Sequence, residues 1–249
     1  MTRQSLYGLL LLILAGLTSC MGDGSNSINY HRVGVVRENP MRCIYTCNDL
    51  GEVFVISSPD FENRTDVKDG DCCAVDFKTN FSDDLGGGVY KAEILKYDTI
   101  HVWPLYESLT DTSTVLPKER LVTLDFGKNI YLDGHFFMQS QHVNHQMDQS
   151  DIFNLSYDPD QTIEVGEEGE RIYNLYLRIT QEGGTGDSTR WIKTSAFTIG
   201  KFLDQAKAIE SSEGQSAVNF KVNYPLSFNA DTTACVWGAT DVFTLQFTK

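Results

Sequence analysis

Hydrophobic and polar positions alternate along most of this chain, in runs too short for helices. Residues 32–37 (RVGVVR), 42–47 (RCIYTC) and 53–56 (VFVI) are β-branched or aromatic segments with polar flanks, which reads as strand. Between the last two lies Asn48-Asp49-Leu50-Gly51, a hairpin turn by composition. Residues 71–77 (DCCAVDF) follow the turn Lys68-Asp69-Gly70. Residues 89–97 (VYKAEILKY) put Tyr90, Ala92 and Ile94 on one face and Lys91 and Glu93 on the other. Residues 99–105 are either a last strand or the path out of the domain. Five or six short strands without a helical period predict a small barrel.

A polar stretch ending in proline, 109–117 (LTDTSTVLP), marks a boundary. Beyond it, segments 121–126, 129–138, 151–157, 171–180, 190–199, 217–224 and 236–247 read as antiparallel strands separated by polar turns, the pattern of a β-sandwich. Residues 200–210 (GKFLDQAKAIE) break the pattern. Phe202, Leu203, Ala206 and Ile209 recur at helical spacing, and Gly214 is placed to stop a helix. The expected fold is all-β, a small barrel followed by a sandwich with one short helix.

The N-terminal residues follow a different rule. Arg3 precedes an unbroken apolar run at 9–14 (LLLLIL), shorter than the roughly 20 residues a spanning helix needs. It leads into Leu17-Thr18-Ser19-Cys20, a lipobox in which small residues admit the peptidase and the thiol accepts diacylglycerol. The chain therefore divides into a lipoprotein signal peptide (1–19), a polar flexible tether (20–30), the barrel (31–110) and the sandwich (111–249). Acylated Cys20 would hold the body to a lipid bilayer, and multiple acyl chains make a stable anchor. Met21 after the lipid site favours the outer membrane; the sequence leaves periplasmic or surface face undecided.

Charge narrows the partners. The chain carries 34 acidic and 20 basic side chains, a net charge of −14. Phosphate contacts need a surplus of Lys and Arg, so nucleic acid is not expected as a partner. Beyond Cys20 there are five cysteines, Cys43, Cys47, Cys72, Cys73 and Cys235. Export permits disulfides, and the odd count leaves at least one thiol over. Neighbours on a strand point to opposite faces, so Cys72 and Cys73 are badly placed to share a zinc ion. Buried thiols acting as apolar filler is the leading reading; a disulfide joining Cys43 or Cys47 to Cys72 or Cys73 is the alternative.

The lipobox, the 48–51 hairpin, the turn-strand Val67–Phe77 and the following Val89–Ile94 together resemble the NigD-like lipoproteins. That resemblance implies an OB-like barrel followed by an immunoglobulin-like sandwich over nearly the whole exported chain. It also implies a role beside bacteriocins, such as immunity, and brings no catalytic residues. The chain departs from the pattern in its cysteine-rich barrel and in having few acids directly after Cys20.

Candidate chemistry is sparse. His135, His142 and His145 are close in sequence and form a weak candidate metal set; on one strand 142 faces away from the other two. The acids of 158–170 lack EF-hand spacing. Gly86-Gly87-Gly88 has no following Lys-Ser/Thr and reads as a hairpin loop rather than a phosphate cradle. Trp103, Tyr106, Trp191 and Trp237 are the candidate ligand-stacking aromatics. The expected function is a non-enzymatic envelope lipoprotein without cofactor, binding a protein or glycan. A glycan-binding accessory protein of nutrient capture is the alternative, and would need a shallow aromatic platform beside polar groups. A hydrolase, the third reading, would need a Ser/His pair or perturbed carboxylates in one cleft.

Overall fold

The computed structural model describes residues 28–38, 41–48, 51–124, 130–146, 148–186 and 189–247. The lipobox, Cys20 and most of the tether lie outside them.

Five strands form a closed barrel: β1 (Ile28–Glu38), β2 (Arg42–Cys47), β3 (Val53–Ser57), β4 (Cys72–Asp84) and β5 (Val89–Ile100). The order around the wall is β1-β2-β3-β5-β4, closed by β1 against β4. Only β3 and β5 run parallel. The β2–β3 hairpin forms as expected from its turn residues. Glu52 N donates to Asn48 Oδ1 at 3.0 Å, and Gly51 takes φ 81°, a left-handed value that suits glycine.

The inward row of β4 is Cys73, Val75 and Phe77, packed with Val36, Ile44 and Ile56. Along β5 the inward phase Tyr90, Ala92, Ile94 changes at a bulge opposite Asp76 and Phe77, so that Tyr97 rather than Lys96 turns inward. A short helix, α1 (Pro59–Glu62), follows β3 and closes that end of the barrel with buried Phe61, whose ring lies 5.4 Å from that of Tyr97. The sequence analysis allowed only one helix. Four residues are one turn, too few to produce a hydrophobic period.

The second domain comprises β6 (Val102–Tyr106), β7 (Leu121–Thr123), β8 (Ile130–Leu132), β9 (His135–His145), β10 (Gln149–Ser156), β11 (Glu164–Val165), β12 (Arg171–Gly183), β13 (Thr189–Thr198), α2 (Gly200–Ser212), β14 (Ala217–Phe228), β15 (Cys235–Ala239) and β16 (Phe243–Gln246). Its strands form one eleven-stranded sheet with main path β15-β14-β12-β10-β6-β13-β9-β7. The sheet curls so that its two halves face each other. Phe136 of β9 meets Phe220 of β14 and Phe243 of β16, at ring distances of 5.3 and 4.9 Å. The result is a two-layered β-sandwich around one core.

Two details differ from the sequence analysis. First, β6 already belongs to this sheet, pairing with β10 and β13. The chain leaves the barrel at Ile100, earlier than the polar stretch after Leu109 suggested. Second, β6–β10, β6–β13 and β12–β14 are parallel, so the sandwich is not uniformly antiparallel. Alternation reports which face is buried, not which neighbour a strand takes. Helix α2 buries Phe202, Leu203 and Ala206 as expected, and Gly214 ends it at φ 80°. Ile209, however, is 43% exposed, and the neighbouring Glu210 is buried instead. Glu210 accepts hydrogen bonds from Arg171 Nε at 3.1 Å and from Tyr173 Oη at 2.8 Å, which offset its desolvation.

The vicinal cysteines follow the strand rule. Cys73 enters the barrel core, while Cys72 faces the other way into a separate apolar cluster with Val35, Ile100, Leu132, Phe137 and Ala196. Three of these come from the barrel wall and three from the second domain, so this cluster joins the domains. Arg37 on β1 adds ion pairs to Asp69 and to Asp133 of the second domain. Cys43, Cys72, Cys73 and Cys235 are free thiols, and Cys43, Cys47, Cys72 and Cys73 are buried, in keeping with the filler reading.

Truncating Phe137 to Ala would open a void between the domains and should cost about 3–5 kcal/mol in urea-induced unfolding. A loss under about 1 kcal/mol would mean the domains do not depend on this contact. Burial, the largest influence, pushes the Cys72 and Cys73 thiols up to about 12, against about 9 ordinarily. The native state thus keeps protons that the unfolded chain releases. Stability from this source should be intact below about pH 9 and fall from there towards pH 12, as read by urea midpoints. Replacing both cysteines by Ala should flatten that fall.

Candidate functional site

The end of the barrel away from α1 is open. There the inward rows of four strands finish on aromatic residues: Tyr30 on β1, Phe54 on β3, Phe81 on β4 and Tyr90 on β5. Their rings meet edge to face, with Phe81 4.9 Å from Tyr90 and 5.5 Å from both Phe54 and Tyr30. Edge-to-face packing sets the positive rim of one ring against the negative face of the next. Below them Phe77 stacks on Tyr30 at 5.4 Å and forms the floor. A register irregularity between Thr79 and Asp84 carries Phe81 towards solvent, where it is 42% exposed.

These rings border a cavity of about 500 Å³. Its polar wall is Arg32, Asn48 and Glu52, and Val53 and Gly88 complete the lip. The Arg32 guanidinium lies over the Tyr30 ring, 5.4 Å from its centroid, and donates to the His31 carbonyl at 3.0 Å. Asn48 Nδ2 donates to Glu52 Oε2 at 2.8 Å, so both side chains are held by the hairpin that carries them. Gly86, Gly87 and Gly88 all have left-handed φ (102°, 69° and 76°), and Val55 N donates to the Gly88 carbonyl at 3.0 Å. The triple glycine is thus a tight β4–β5 loop at the rim. The site offers aromatic surface, one cation, one carboxylate and one amide in a concavity of ordinary ligand-site size.

Sequence reasoning placed the stacking aromatics elsewhere. Trp103 is half-buried against the sandwich core, 5.8 Å from Phe153. Tyr106 is exposed at the end of the same strand. Trp237 packs edge-on against Tyr176 at 5.5 Å. Trp191 is 51% exposed on β13, six positions from the residue paired with Trp103, or about 20 Å along the strand. The structure does not assemble them into one platform. The pocket aromatics were overlooked because Phe and Tyr in a strand read as core. The available signal was their position at strand ends next to polar turns.

His135 and His142 do not converge either. His135 lies at the start of β9, where burial lowers its pKa, and Nδ1 is 3.1 Å from the Asp133 carbonyl. His142 is buried within the sandwich. The side chain of His145 is outside the described residues. Among the described residues no three His, Cys, Asp or Glu side chains gather as a metal site. Of the acidic loop, Glu164 pairs with Lys221 at 2.7 Å, and the Lys221 contact is the main cause of its lowered pKa.

Around His142 the sandwich does assemble a Ser-His-Asp arrangement. Ser140 Oγ is 3.2 Å from His142 Nε2, and His142 Nδ1 is 3.9 Å from Asp151 Oδ2. Lys193 Nζ lies 3.9 Å from the same oxygen, and Gln149 Nε2 donates to Asp151 Oδ1 at 2.6 Å. The order of groups matches a nucleophile, base and orienter. Their burial does not: Ser140, His142 and Asp151 are 2%, 1% and 3% exposed, so no substrate reaches Ser140 Oγ in this conformation. Removing the carboxylate in Asp151→Ala would strand Lys193 and His142 and should cost about 3–5 kcal/mol in thermal or urea unfolding.

Fold and site together define a two-domain all-β protein, an OB barrel with an open aromatic end carried on a β-sandwich. Residues 24–84 match the family model of the lipoprotein OB domain, which covers most of the barrel. No curated protein sequence matches the chain. Among solved structures, an uncharacterized protein from Parabacteroides merdae is similar over 88% of this chain and all of its own, with a TM-score of 0.72 and 21% identity. A NigD-like immunity protein from Bacteroides caccae is similar over 88% of this chain and 97% of its own, with a TM-score of 0.51 and 13% identity. A protein of unknown function from Bacteroides vulgatus gives 0.52 and 14% over 89% of this chain and 92% of its own. The N-terminal domain is thus similar to the lipoprotein OB domain, and the body as a whole shares its fold with these proteins, the NigD-like immunity protein among them.

Proposed function

We propose that this protein is a non-enzymatic lipoprotein of the cell envelope, anchored by acylated Cys20, that binds a partner through the open end of its barrel. The observation that carries the reading is the pocket of Tyr30, Phe54, Phe81 and Tyr90 with its fixed polar wall. A concave aromatic site with a few oriented polar groups is the usual form of a binding site.

The anchor and the pocket also belong to the same end of the barrel. Strand β1 begins at Ile28, eight residues after Cys20, and Tyr30 already lines the cavity. Tyr30 is ten residues from Cys20 and an extended chain spans at most about 3.6 Å per residue, so the mouth stays within about 36 Å of the lipid surface. Partners in the membrane or on its face are therefore the ones within reach. The outer membrane is the favoured site, from Met21 after the lipid cysteine. A role in bacteriocin immunity fits the architecture shared with the Bacteroides caccae protein.

Two measurements test this. Cys20→Ala should move the protein from the membrane to the soluble fraction; a variant that still sediments with membranes removes the lipid anchor from the account. A photocrosslinking amino acid at Val53, on the lip, should give a discrete adduct in whole cells that the same group at exposed Val165 does not. Equal labelling at both positions, or none at Val53, would overturn the pocket as the binding site.

A further inference from the structure

We infer that the occupant of the barrel-end pocket is a pyranose ring of an envelope glycan, stacked on Phe81 and held by Glu52, Asn48 and Arg32. This deepens the proposed function and rests on its reading of the pocket as the binding site.

The lining divides between the rings of Tyr30, Phe54, Phe81 and Tyr90 and the polar side chains of Arg32, Asn48 and Glu52. A purely apolar side chain from a protein partner would bury Glu52 and Arg32 against carbon, and each unmade hydrogen bond to a charged group costs several kcal/mol. A sugar ring has the complementary division. One face carries C–H groups that lie against the negative face of an aromatic ring, and its edge carries hydroxyls that both donate and accept. Glu52 accepts, Arg32 donates, and the amide of Asn48 has both capacities, so one ring can satisfy a mixed set of this kind.

The polar wall is also fixed before binding. Asn48 and Glu52 are tied to each other and to the turn backbone, through Asn48 Nδ2 to Glu52 Oε2 at 2.8 Å and Glu52 N to Asn48 Oδ1 at 3.0 Å. Arg32 is set against Tyr30. Preorganised groups avoid the ordering cost that weakens binding of small polar ligands. Phe81 completes the site, because it is the most exposed of the four aromatic rings, at 42%. A nucleotide would stack equally well, but Glu52 and Asp84, which lies at the β4–β5 loop, oppose its phosphate. The site is at the mouth of the barrel, between the β2–β3 hairpin and the β4–β5 loop, beside the β2–β3 face that OB folds ordinarily use.

The test uses the full-length lipidated protein in detergent on a glycan array, followed by titration of the best-scoring saccharide with ligand-observed NMR. Binding is expected, with Phe81→Ala raising Kd about ten-fold, Phe81→Tyr within about two-fold of wild type, and Glu52→Gln raising Kd about five-fold. Phe81 and Glu52 are both exposed, and unchanged melting temperatures would show that the variants fold. Silence across the array, with a protein adduct still formed at Val53, would overturn the glycan assignment and leave the pocket as a protein-binding site. Saccharide binding unaffected by Phe81→Ala would overturn it by placing the sugar elsewhere. Silence on the array together with no adduct at Val53 would overturn both readings.

Discussion

The structure depends on one strand being buried on both faces. β4 sends Cys73, Val75 and Phe77 into the barrel and Cys72 into the cluster shared with the second domain. A barrel strand usually alternates between core and solvent. Here the outer face at the start of β4 meets Leu132, Phe137 and Ala196, so a second core continues the first. Two adjacent small apolar side chains are what such a position requires. A larger residue at 72 would push the domains apart, and a charge at either position would have no water. The vicinal cysteines are the local record of that constraint, and their raised thiol pKa values are its electrostatic consequence.

The same barrel explains why the aromatic pocket lies at this end. The interior of a five-stranded barrel is narrow, and its own side chains fill it. After β3 the chain makes the single turn of α1 and lowers Phe61 over one opening. The other opening is bounded by a hairpin and a glycine-rich loop, which have no large side chain to cover it beyond the aromatic ends of the strands. Rings that would be core one residue deeper become walls. The barrel core and the pocket therefore share one continuous aromatic stack, from Phe77 through Tyr30, Phe54 and Tyr90 to Phe81.

The second domain deals with polarity differently. Among the described residues its sandwich buries three carboxylates, each beside a cation: Glu210 with Arg171 and Tyr173, Glu119 with Arg178, and Asp151 with Lys193 and His142. Breaking one member of such a set costs more than the set contributes over an apolar core, so these groups act chiefly on which packing is allowed. The Ser140-His142-Asp151 geometry belongs to this category. Its atoms stand in a catalytic order, yet they are enclosed by the strands that hold them.

Much of this was legible in the sequence because it follows from local rules. Alternation set the strands, Asn48 and Gly51 set the hairpin, and Gly214 set the end of α2. Strand geometry alone also required Cys72 and Cys73 to face opposite ways. The signal-like N-terminus and the resemblance of residues 17–20, 48–51, 67–77 and 89–94 gave the barrel-then-sandwich order that the fold displays. What the sequence left open depends on which segments meet. Period-two patterning is the same for parallel and antiparallel neighbours, so the pairings of β6 with β10 and β13 were invisible, and with them the point where the chain leaves the barrel. Burial of Glu210 in place of Ile209 required knowing that Arg171 and Tyr173 stand opposite. The pocket is the clearest case. Tyr30, Phe54, Phe81 and Tyr90 are ordinary inward residues of four separate strands, and only closure of the barrel brings their ends together around a common opening.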